Sequence, residues 1–396
     1  MDSVRKRLLI VTEALEMNGV LRSLLDFMAA MDKDRYEISL FCFDAYQPSF
    51  VSLPPYVKLL PEISGCYMAR APLARTFGWA LRHGAFRMLF RRLFCSVLQK
   101  RSPKFAKHML AANVRQIDGK YDIAIAYSMG MTWRFVAEKV TANRKLMWLD
   151  TDPRFDCWRG YWNTYSRFLG EADALICVSN AIRDVMRTEF AGCAKRIETI
   201  HNVIDVATIV DKGNAPLTIP RNGRFRIVTV GRFCTPKNQV MIPRIAERIK
   251  KLGGLDFEWI MIGTLAHEFE REAQEELVRL GVRDNLVYLN GMPNPLPIVK
   301  SADLYVQPSV YEGWGLTLSE AICLGKYVIA SDIPAFREQI PNLSVGRICS
   351  LNCDEMAVAI VEYAVKPIVP VGGVDYMTKQ FGSRVVRREF ENVVGK

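Results

Sequence analysis

The sequence predicts an α/β protein of two domains, each an open parallel sheet with helices on both faces. Its 396 residues exceed one ordinary hydrophobic core and fit two domains of usual size. Short apolar runs alternate with segments of helical length along the whole chain, as in parallel strands that are buried on both faces. One stretch rich in glycine and proline interrupts this alternation near the middle of the chain.

Each predicted strand is a short apolar run bounded by polar or turn-forming residues. In the first half these runs are Leu8–Val11, Ile38–Phe43, Ile123–Tyr127, Leu146–Leu149, Leu175–Val178 and Ile197–Ile200. In the second half they are Phe225–Val230, Trp259–Ile262, Leu286–Leu289, Leu304–Val306 and Val328–Ala330, with helices near 237–251, 267–280, 316–324 and 354–365. Strands separated by helices favour parallel sheets.

The domain boundary is predicted at 205–222, where glycine and proline replace periodicity. We expect an N-terminal domain over 1–204, a C-terminal domain over 223–375, and a last helix over 376–396 that can pack back on the first domain. Open parallel sheets bind ligands at the carboxyl ends of their strands, so two facing sheets imply a site in the cleft between them.

Composition argues against a membrane-spanning or secreted protein. No run approaches the roughly 18 apolar residues that a spanning helix needs. Glu13 and Glu16 interrupt the apolar run near the start, which disfavours a signal peptide. The ten cysteines form no CxxC pair and are interpreted as reduced, buried thiols, so we expect a cytoplasmic protein.

The net charge of +11 comes from one segment, 63–117, which holds eleven Lys and Arg residues and no Asp or Glu. Within it, apolar side chains recur at helical spacing at Phe86, Leu89, Phe90, Leu93, Phe94 and Val97. One interpretation is a helix with one face in the core and a solvated basic face. The other is docking on an anionic bilayer, which would place the protein on the inner face of the cytoplasmic membrane, near a lipid-linked acceptor. No nucleic-acid-reading motif is present, so nucleic acid is not an expected partner.

The most informative motif follows the strand Leu304–Val306. Gly313 and Gly315 permit a sharp turn, and the helix that opens at Leu316 and Thr317 offers unpaired amides to phosphate. Glu320 lies in the first turns of that helix, where an ionised carboxylate can accept hydrogen bonds from two ribose hydroxyls. Glu312 precedes the helix and can face a sugar.

A second motif, Gly231 to Lys237, ends the first strand of the second half. Gly231 permits a turn, Pro236 suits the start of a helix, and Arg232 and Lys237 supply two cations. Fixed cations stabilise the charge that grows on a departing diphosphate, so Arg232, Lys237 and Glu312 are the predicted catalytic residues.

A metal-dependent alternative rests on Asp150-Thr151-Asp152, which matches a DxD metal motif after an apolar strand. A three-residue match is weakly specific, and the four histidines show no ligand spacing. We therefore expect no metal site and no cofactor beyond a nucleotide-sugar substrate.

These motifs resemble those of the retaining GT-B glycosyltransferases, a large group that includes bacterial capsule, lipopolysaccharide and glycolipid enzymes. Its paired glutamates, with seven residues between them, match Glu312 and Glu320, and its phosphate-binding cations match Arg232 and Lys237. The resemblance implies the GT-B fold of two Rossmann-like domains with facing open parallel sheets and an interdomain cleft. Its implied donor-binding set also includes Gly19, Gly231, Gly263, Met292, Gly315, Leu316 and Thr317.

The sequence departs from this resemblance at Asp150, where many members have a histidine thought to face the sugar. We keep Asp150 as a candidate catalytic residue, whose hydrogen-bonding role depends on a raised pKa, and assign no general base. The implied function is metal-independent, retaining sugar transfer from a UDP- or GDP-type donor to a hydroxyl of a glycan or lipid-linked acceptor, in cell-surface polysaccharide synthesis. Two alternatives stay open, namely a nucleotide-sugar hydrolase or epimerase on the same fold, and a non-catalytic basic adaptor for membranes or nucleic acid.

Overall fold

The computed structural model describes residues 5–15, 19–44, 53–61, 77–78, 81, 86, 90, 114–264 and 279–395. The chain folds into two compact units. Unit 1 comprises Met1–Val203 and Ser383–Lys396, and unit 2 comprises Ile204–Gly382.

Unit 1 is a parallel sheet with helices in its connections. Its strands are β1 Lys6–Ala14, β2 Tyr36–Asp44, β3 Lys58–Leu59, β4 Lys120–Ala126, β5 Thr141–Leu149, β6 Ala174–Cys177 and β7 Ile197–Thr199. Its helices before residue 203 are α1 Gly19–Ala30, α2 Met131–Lys139, α3 Asp156–Tyr165 and α4 Asn180–Glu189. The strand order is β3-β2-β1-β4-β5-β6-β7, and every pair is parallel.

Unit 2 repeats the architecture with a parallel sheet of order β10-β9-β8-β11-β12-β13. Its strands are β8 Phe225–Val230, β9 Phe257–Ile262, β10 Leu286–Leu289, β11 Leu304–Gln307, β12 Val328–Ser331 and β13 Gly346–Cys349. Its helices are α5 Val206–Gly213, α6 Ile242–Leu252, α7 Leu296–Ser301, α8 Leu316–Cys323, α9 Pro334–Arg337, α10 Cys353–Val365 and α11 Gly373–Phe381. A last helix, α12 Ser383–Gly395, belongs to unit 1.

The prediction of two Rossmann-like parallel sheets is confirmed. The apolar runs form the strands because helices cover both faces, and Leu8–Val11 in β1 are completely buried. In each sheet the chain reverses its direction of winding once, between β1 and β4 in unit 1 and between β8 and β11 in unit 2. Loops that leave the carboxyl ends of strands at such a point diverge and leave room for a ligand.

Several predicted elements differ from the structure. The stretch 205–222, expected to be a linker, begins with helix α5, whose N-terminus is capped by Asp205 through the Thr208 N–H at 3.1 Å. The prolines further along that stretch mask this capping signal. The helix expected over 237–251 starts only at Ile242, because Asn238 adopts a left-handed conformation (φ 54°) between two 3-10 turns.

The helix expected over 376–396 is two helices, α11 and α12, separated at Gly382. A Cβ at Gly382 would lie 2.5 Å from the Thr378 carbonyl oxygen. Strands β3 and β13 were not predicted, since both are short; β13 begins at Gly346, where a Cβ would lie 2.4 Å from the Val328 side chain. Most of the helix predicted over 267–280 lies outside the described residues.

Most of the basic segment 63–117 also lies outside the described residues. Phe86 and Phe90 are described, and they are helical and exposed by 58% and 75%. These two side chains therefore do not face a core, contrary to the first interpretation of the segment. Among the residues that the structure describes, no helix is long and apolar enough to cross a membrane.

Candidate functional site

Two loops of unit 2 carry the predicted diphosphate-binding residues, and both leave the sheet where its winding reverses. One follows β8 and contains Gly231 to Lys237, and the other follows β11 and leads into α8. The Val310 N–H donates to the Pro236 carbonyl at 2.8 Å, so the loops are in direct contact. The fold thus brings together two motifs that are far apart in the sequence.

Lys237 and Glu312 form an ion pair across these two loops. The Lys237 ammonium lies 2.5 Å from Glu312 Oε1, and both side chains are largely buried. Ser309 Oγ lies 2.8 Å from the same carboxylate oxygen. The ammonium is therefore held beside the start of α8, where the sequence predicts that phosphate binds.

The start of helix α8 requires glycine at Gly315. Its φ is 99°, and a Cβ there would lie 2.6 Å from the Phe336 ring. The preceding Trp314 carbonyl accepts a hydrogen bond from Gln339 Nε2 at 2.5 Å, which fixes the turn. The first amides of a helix have no acceptor within it, so Leu316 and Thr317 present N–H groups as predicted.

Glu320 lies one turn into the same helix and is only 4% exposed. Its position one turn beyond the amides suits a group attached to the phosphates.

The loop after β8 packs closely on the end of β9. A Cβ at Gly263 would lie 1.9 Å from the Gly231 carbonyl oxygen, a distance that no side chain can tolerate. Gly263 therefore allows the two loops to approach each other. The structure gives it a steric role, whereas the sequence predicted contact with the donor.

The side chain of Gln239 fixes the backbone of the loop that carries Arg232 and Lys237. Its side chain is 3% exposed, and its Nε2 donates to the carbonyls of Gly231 at 2.9 Å and Arg232 at 2.8 Å. The Arg232 side chain is exposed, and within the described part of the chain no carboxylate pairs with it. The Arg232 guanidinium thus extends from a loop whose backbone is fixed, and its contact with the donor stays a prediction.

Two further residues, Gly19 and Met292, were predicted to bind the donor. Gly19 is the exposed first residue of α1 in unit 1. Met292 is partly buried in the loop after β10, and among the described residues no hydrogen bond joins it to Lys237 or Glu312. For both, a role in donor binding stays a prediction.

Unit 1 carries Asp150 directly after β5, partly buried at the carboxyl edge of the sheet. Burial raises its pKa from 3.8 to about 6, hydrogen bonds from backbone amides, including that of Met129, oppose the shift, and the nearby carboxylate of Glu13 adds to it. To donate a hydrogen bond, Asp150 needs a protonated carboxyl. Its raised pKa brings it closer to that state, and the carboxyl carries a proton below about pH 6.

The side chain of Glu13, a residue of β1, caps the N-terminus of helix α2. Its Oε1 accepts the Met131 N–H at 3.2 Å, and a Cβ at Gly130 would lie 2.4 Å from that oxygen. The loop before the helix also holds Ser128 at φ 90°, an uncommon conformation for a residue with a side chain. Strained loops of this kind occur often at functional sites.

The DxD motif does not act as a unit. Asp152 is 7% exposed and binds the Arg154 guanidinium at 2.7 Å, and Arg154 also contacts Glu189 at 2.6 Å. Among the described residues, no three His, Cys, Asp or Glu side chains form a cluster suited to a metal ion. Asp152 therefore pairs with an arginine, and the absence of a metal site stays a prediction.

Two family models match the chain in succession. Glycosyltransferase Family 4 matches residues 17–208, and Glycosyl transferases group 1 matches residues 218–366. The chain belongs to the GT-B glycosyltransferases. The resemblance to the GT-B glycosyltransferases is thus confirmed, whereas retention of configuration and the role of each residue stay predictions.

Solved structures share the fold of this GT-B family member. HepE from Anabaena, solved in complex with UDP and glucose, superposes with a TM-score of 0.68 at 15% identity over 99% of this chain and 100% of that one. Sucrose-phosphate synthase from Thermosynechococcus elongatus gives a TM-score of 0.69 at 15% identity over 98% of each chain.

Curated relatives match this GT-B family member over shorter stretches. A phosphatidyl-myo-inositol mannosyltransferase of Mycolicibacterium smegmatis is 30% identical over 175 residues, 41% of each chain. An Escherichia coli UDP-Gal:alpha-D-GlcNAc-diphosphoundecaprenol alpha-1,3-galactosyltransferase is 27% identical over 188 residues, 45% of this chain and 47% of that protein. The matches to the relatives span about half of their length or less.

Sequence reasoning missed several residues that shape the site of this GT-B family member. Gln239, Tyr305 and Gln307 are buried polar side chains beside the two loops. A signal was present for two of them, because Tyr305 and Gln307 alternate with apolar residues in a strand that is otherwise apolar on both faces. Gln239 offered none, since a single glutamine in a polar loop is ordinary.

Proposed function

We propose that this chain transfers a sugar from a UDP- or GDP-type donor to a hydroxyl of a glycan or lipid-linked acceptor, with retention and without a divalent metal, in cell-surface polysaccharide or glycolipid synthesis. The observation that carries the proposal is the Lys237–Glu312 pair, 2.5 Å apart, beside the glycine-bent start of α8. A cation, the first amides of a helix and a carboxylate that can accept hydrogen bonds from hydroxyl groups thus lie close together.

The cations and the helix start account for the departure of the diphosphate. When the bond between sugar and phosphate breaks, negative charge grows on the phosphate oxygens. Lys237, Arg232 and the first amides of α8 stabilise this charge without further reorganisation, because the loops that bear them are already fixed. A site of this composition takes over the charge neutralisation that a metal ion supplies elsewhere.

The two glutamates bind the other two parts of the donor, the ribose and the transferred sugar. Glu320, buried one turn into α8, accepts hydrogen bonds from the ribose hydroxyls, and Glu312 accepts from a hydroxyl of the transferred sugar. An ionised carboxylate is an acceptor only, which matches the donor character of both partners.

The names of similar proteins support the choice of substrates. HepE was solved with UDP and glucose, and the E. coli relative is named for a UDP-sugar donor and a lipid diphosphate-linked acceptor. Both agree with a nucleotide sugar as donor.

A thermal-shift panel with uridine, guanosine, adenosine and thymidine diphosphates in excess chelator tests the donor site. We expect one base to raise Tm by several degrees, because a ligand at about 100 times its Kd adds about 2.7 kcal/mol to the free energy of unfolding. The shift should not change when Mg²⁺ or Mn²⁺ replaces the chelator. A shift that appears only with metal would contradict metal independence.

Product analysis separates a transferase from a nucleotide-sugar hydrolase or epimerase. With donor alone, a transferase should consume its substrate slowly, and addition of an acceptor should accelerate consumption. The anomeric coupling constant of the product, measured by NMR, shows retention or inversion. Rapid consumption without acceptor would favour the hydrolase or epimerase.

Peripheral attachment to an anionic membrane is a further part of the proposal. Phe86 and Phe90 are each helical and expose 58% and 75% of their surface, within a segment that has eleven cations and no acid. Exposed aromatic side chains among cations are typical of helices that lie in a lipid interface. Such attachment would bring the enzyme to a lipid-linked acceptor.

We expect the double variant Phe86→Ser/Phe90→Ser to reduce co-flotation with phosphatidylglycerol vesicles severalfold, because two buried aromatic contacts are lost. Val369→Ser is the matched control, since Val369 is 79% exposed on unit 2 and lies outside this segment. Equal binding of both variants and the wild type would contradict the membrane proposal.

A further inference from the structure

A row of three buried polar residues runs along β11 toward the site. Tyr305, Gln307 and Ser309 are completely buried and stand at alternate positions, so they share one face of the strand and its continuation. Burying a polar group costs free energy unless it is hydrogen-bonded. Three such groups in a central strand therefore call for an account of where their hydrogen bonds lead.

The hydrogen bonds form one continuous chain. The Tyr305 hydroxyl donates to Gln307 Oε1 at 2.8 Å, and Gln307 Nε2 donates to Ser309 Oγ at 2.9 Å. Ser309 Oγ lies 2.8 Å from Glu312 Oε1. The row therefore connects the interior of the sheet to the carboxylate at the ligand-binding loop.

The direction of these bonds follows from the chemistry of the groups. A glutamine side chain has one acceptor oxygen and one donor nitrogen. Because Gln307 uses its oxygen toward Tyr305, its nitrogen faces Ser309, whose oxygen accepts. The Ser309 proton is then available only for the onward bond to Glu312, so each donor points toward the carboxylate.

One oxygen of Glu312 is thereby fully engaged. Oε1 accepts from Ser309 and from the Lys237 ammonium at 2.5 Å. Within the part of the chain that the structure describes, the other oxygen, Oε2, has no hydrogen-bond partner. With Oε1 fixed at two points, rotation of the carboxylate is restrained and Oε2 keeps one direction.

We propose that Gln307 and Ser309 are positioning residues, which hold Oε1 of Glu312 so that Oε2 accepts a hydrogen bond from a hydroxyl of the transferred sugar. This rests on the proposed function and adds a specificity to it: the donor sugar has to present a hydroxyl at that point. The nucleoside and diphosphate are assigned to other groups. Gln307 Oε1 also accepts the hydroxyl of Thr317 at 3.4 Å, whereas the Ser309 hydroxyl bonds to Gln307 and Glu312, so Ser309 separates the sugar contact from the phosphate contacts better than Gln307 does.

Ser309→Ala tests the proposal through two affinities. We expect the Kd for the nucleoside diphosphate to stay within about twofold, whereas the Kd for the intact nucleotide sugar rises about tenfold, as for loss of one well-placed hydrogen bond to a charged group. Gln307→Leu should act in the same direction. A merely structural role would weaken both ligands equally, and that result would overturn the proposal.

Thr229→Val is the matched control for lost stability. Thr229 is 1% exposed on the neighbouring strand β8, donates to the Val306 carbonyl at 2.6 Å and accepts from Trp259 Nε1 at 3.0 Å. This variant removes a buried hydroxyl that bonds to the β11 backbone and to Trp259, and to none of the three side chains of the row. We expect a lower Tm with unchanged affinity for the nucleotide sugar.

A stability cycle with Glu312→Gln separates failure of this proposal from failure of the proposed function. If the row holds Glu312, Ser309→Ala should lower Tm less in the Glu312→Gln background than in the wild type. If the Tm losses of Ser309→Ala and Glu312→Gln simply add in the double variant, Ser309 does not position Glu312, whichever ligand binds. If no nucleoside diphosphate binds the wild type, the proposed function and the sugar contact fail, and the cycle still decides whether Ser309 positions Glu312.

Discussion

Arg232→Ala and Lys237→Ala are each expected to lower kcat/KM for sugar transfer by about 100- to 1,000-fold, or about 3–4 kcal/mol of transition-state stabilisation. The loss falls on the chemical step because negative charge on the diphosphate is greatest as the sugar leaves. Lys237 should show the larger loss, since its ammonium is already fixed by Glu312 at 2.5 Å, whereas Arg232 is exposed. Steady-state kinetics with the donor identified by thermal shift measure the effect.

Arg224→Ala is the matched control for removal of a cation. Arg224 precedes β8 at the opposite edge of the same sheet and pairs with Asp256 at 2.7 Å. We expect its kcat/KM to equal that of the wild type. If Arg232→Ala and Lys237→Ala behaved like this control while charge reversal at Arg91 and Arg92 abolished function, the chain would be the basic adaptor and not a transferase.

Asp150→Asn is expected to stabilise the protein above neutral pH by up to about 3 kcal/mol, because the folded state raises the pKa of Asp150 from 3.8 to about 6. A raised pKa means that the folded protein binds the proton more tightly than the unfolded chain. Its stabilising effect is therefore complete below pH 3.8 and is lost as the pH rises through about 6. Asparagine cannot ionise and avoids that loss.

Urea unfolding of both proteins between pH 4 and pH 8 measures this difference. The gain of the variant should be near zero at the acid end and should reach its full size above about pH 7. Asp256→Asn is the control for removal of one carboxylate at an exposed position, since its side chain is 78% exposed. A gain that does not depend on pH would show that the charge of Asp150 is not responsible.

The same carboxyl should shape the activity. If the protonated carboxyl of Asp150 donates a hydrogen bond to substrate, kcat/KM falls as the pH rises through about 6, and this limb disappears in Asp150→Asn. A residue that costs stability when ionised and is nonetheless charged at neutral pH is typical of a functional site. An unchanged limb in the variant would assign it to another group.

The predicted fold followed from local patterns. Buried parallel strands have to be apolar on both faces, and runs such as Leu8–Val11 and Phe225–Val230 therefore mark their positions directly. Two edge strands escaped prediction, β3 because it has only two residues and β13 because it begins at a glycine. Gly346 illustrates this, since the glycine that weakens the strand signal is what allows close packing against Val328.

The sequence predicted which residue types form the candidate site, but not which of those residues contact one another. Glycines at strand ends, two cations and two glutamates are individually common, and their spacing indicated the chemical class of ligand. That Lys237 pairs with Glu312, or that Gly263 supports Gly231, follows from no local pattern. Asp150 and Asp152 belong to one motif and have the same side chain, but Asp152 pairs with Arg154 whereas burial raises the pKa of Asp150.

By itself, the sequence determined two parallel-sheet domains and the residue types available to a phosphate-binding edge, because strand periodicity and turn chemistry are local. Only the tertiary structure decided which of those residues meet. The pairing of Lys237 with Glu312, the raised pKa of Asp150 and the buried row from Tyr305 to Ser309 each depend on the distance between segments. Electrostatic and hydrogen-bond energies depend on distance and burial, which the chain acquires only on folding.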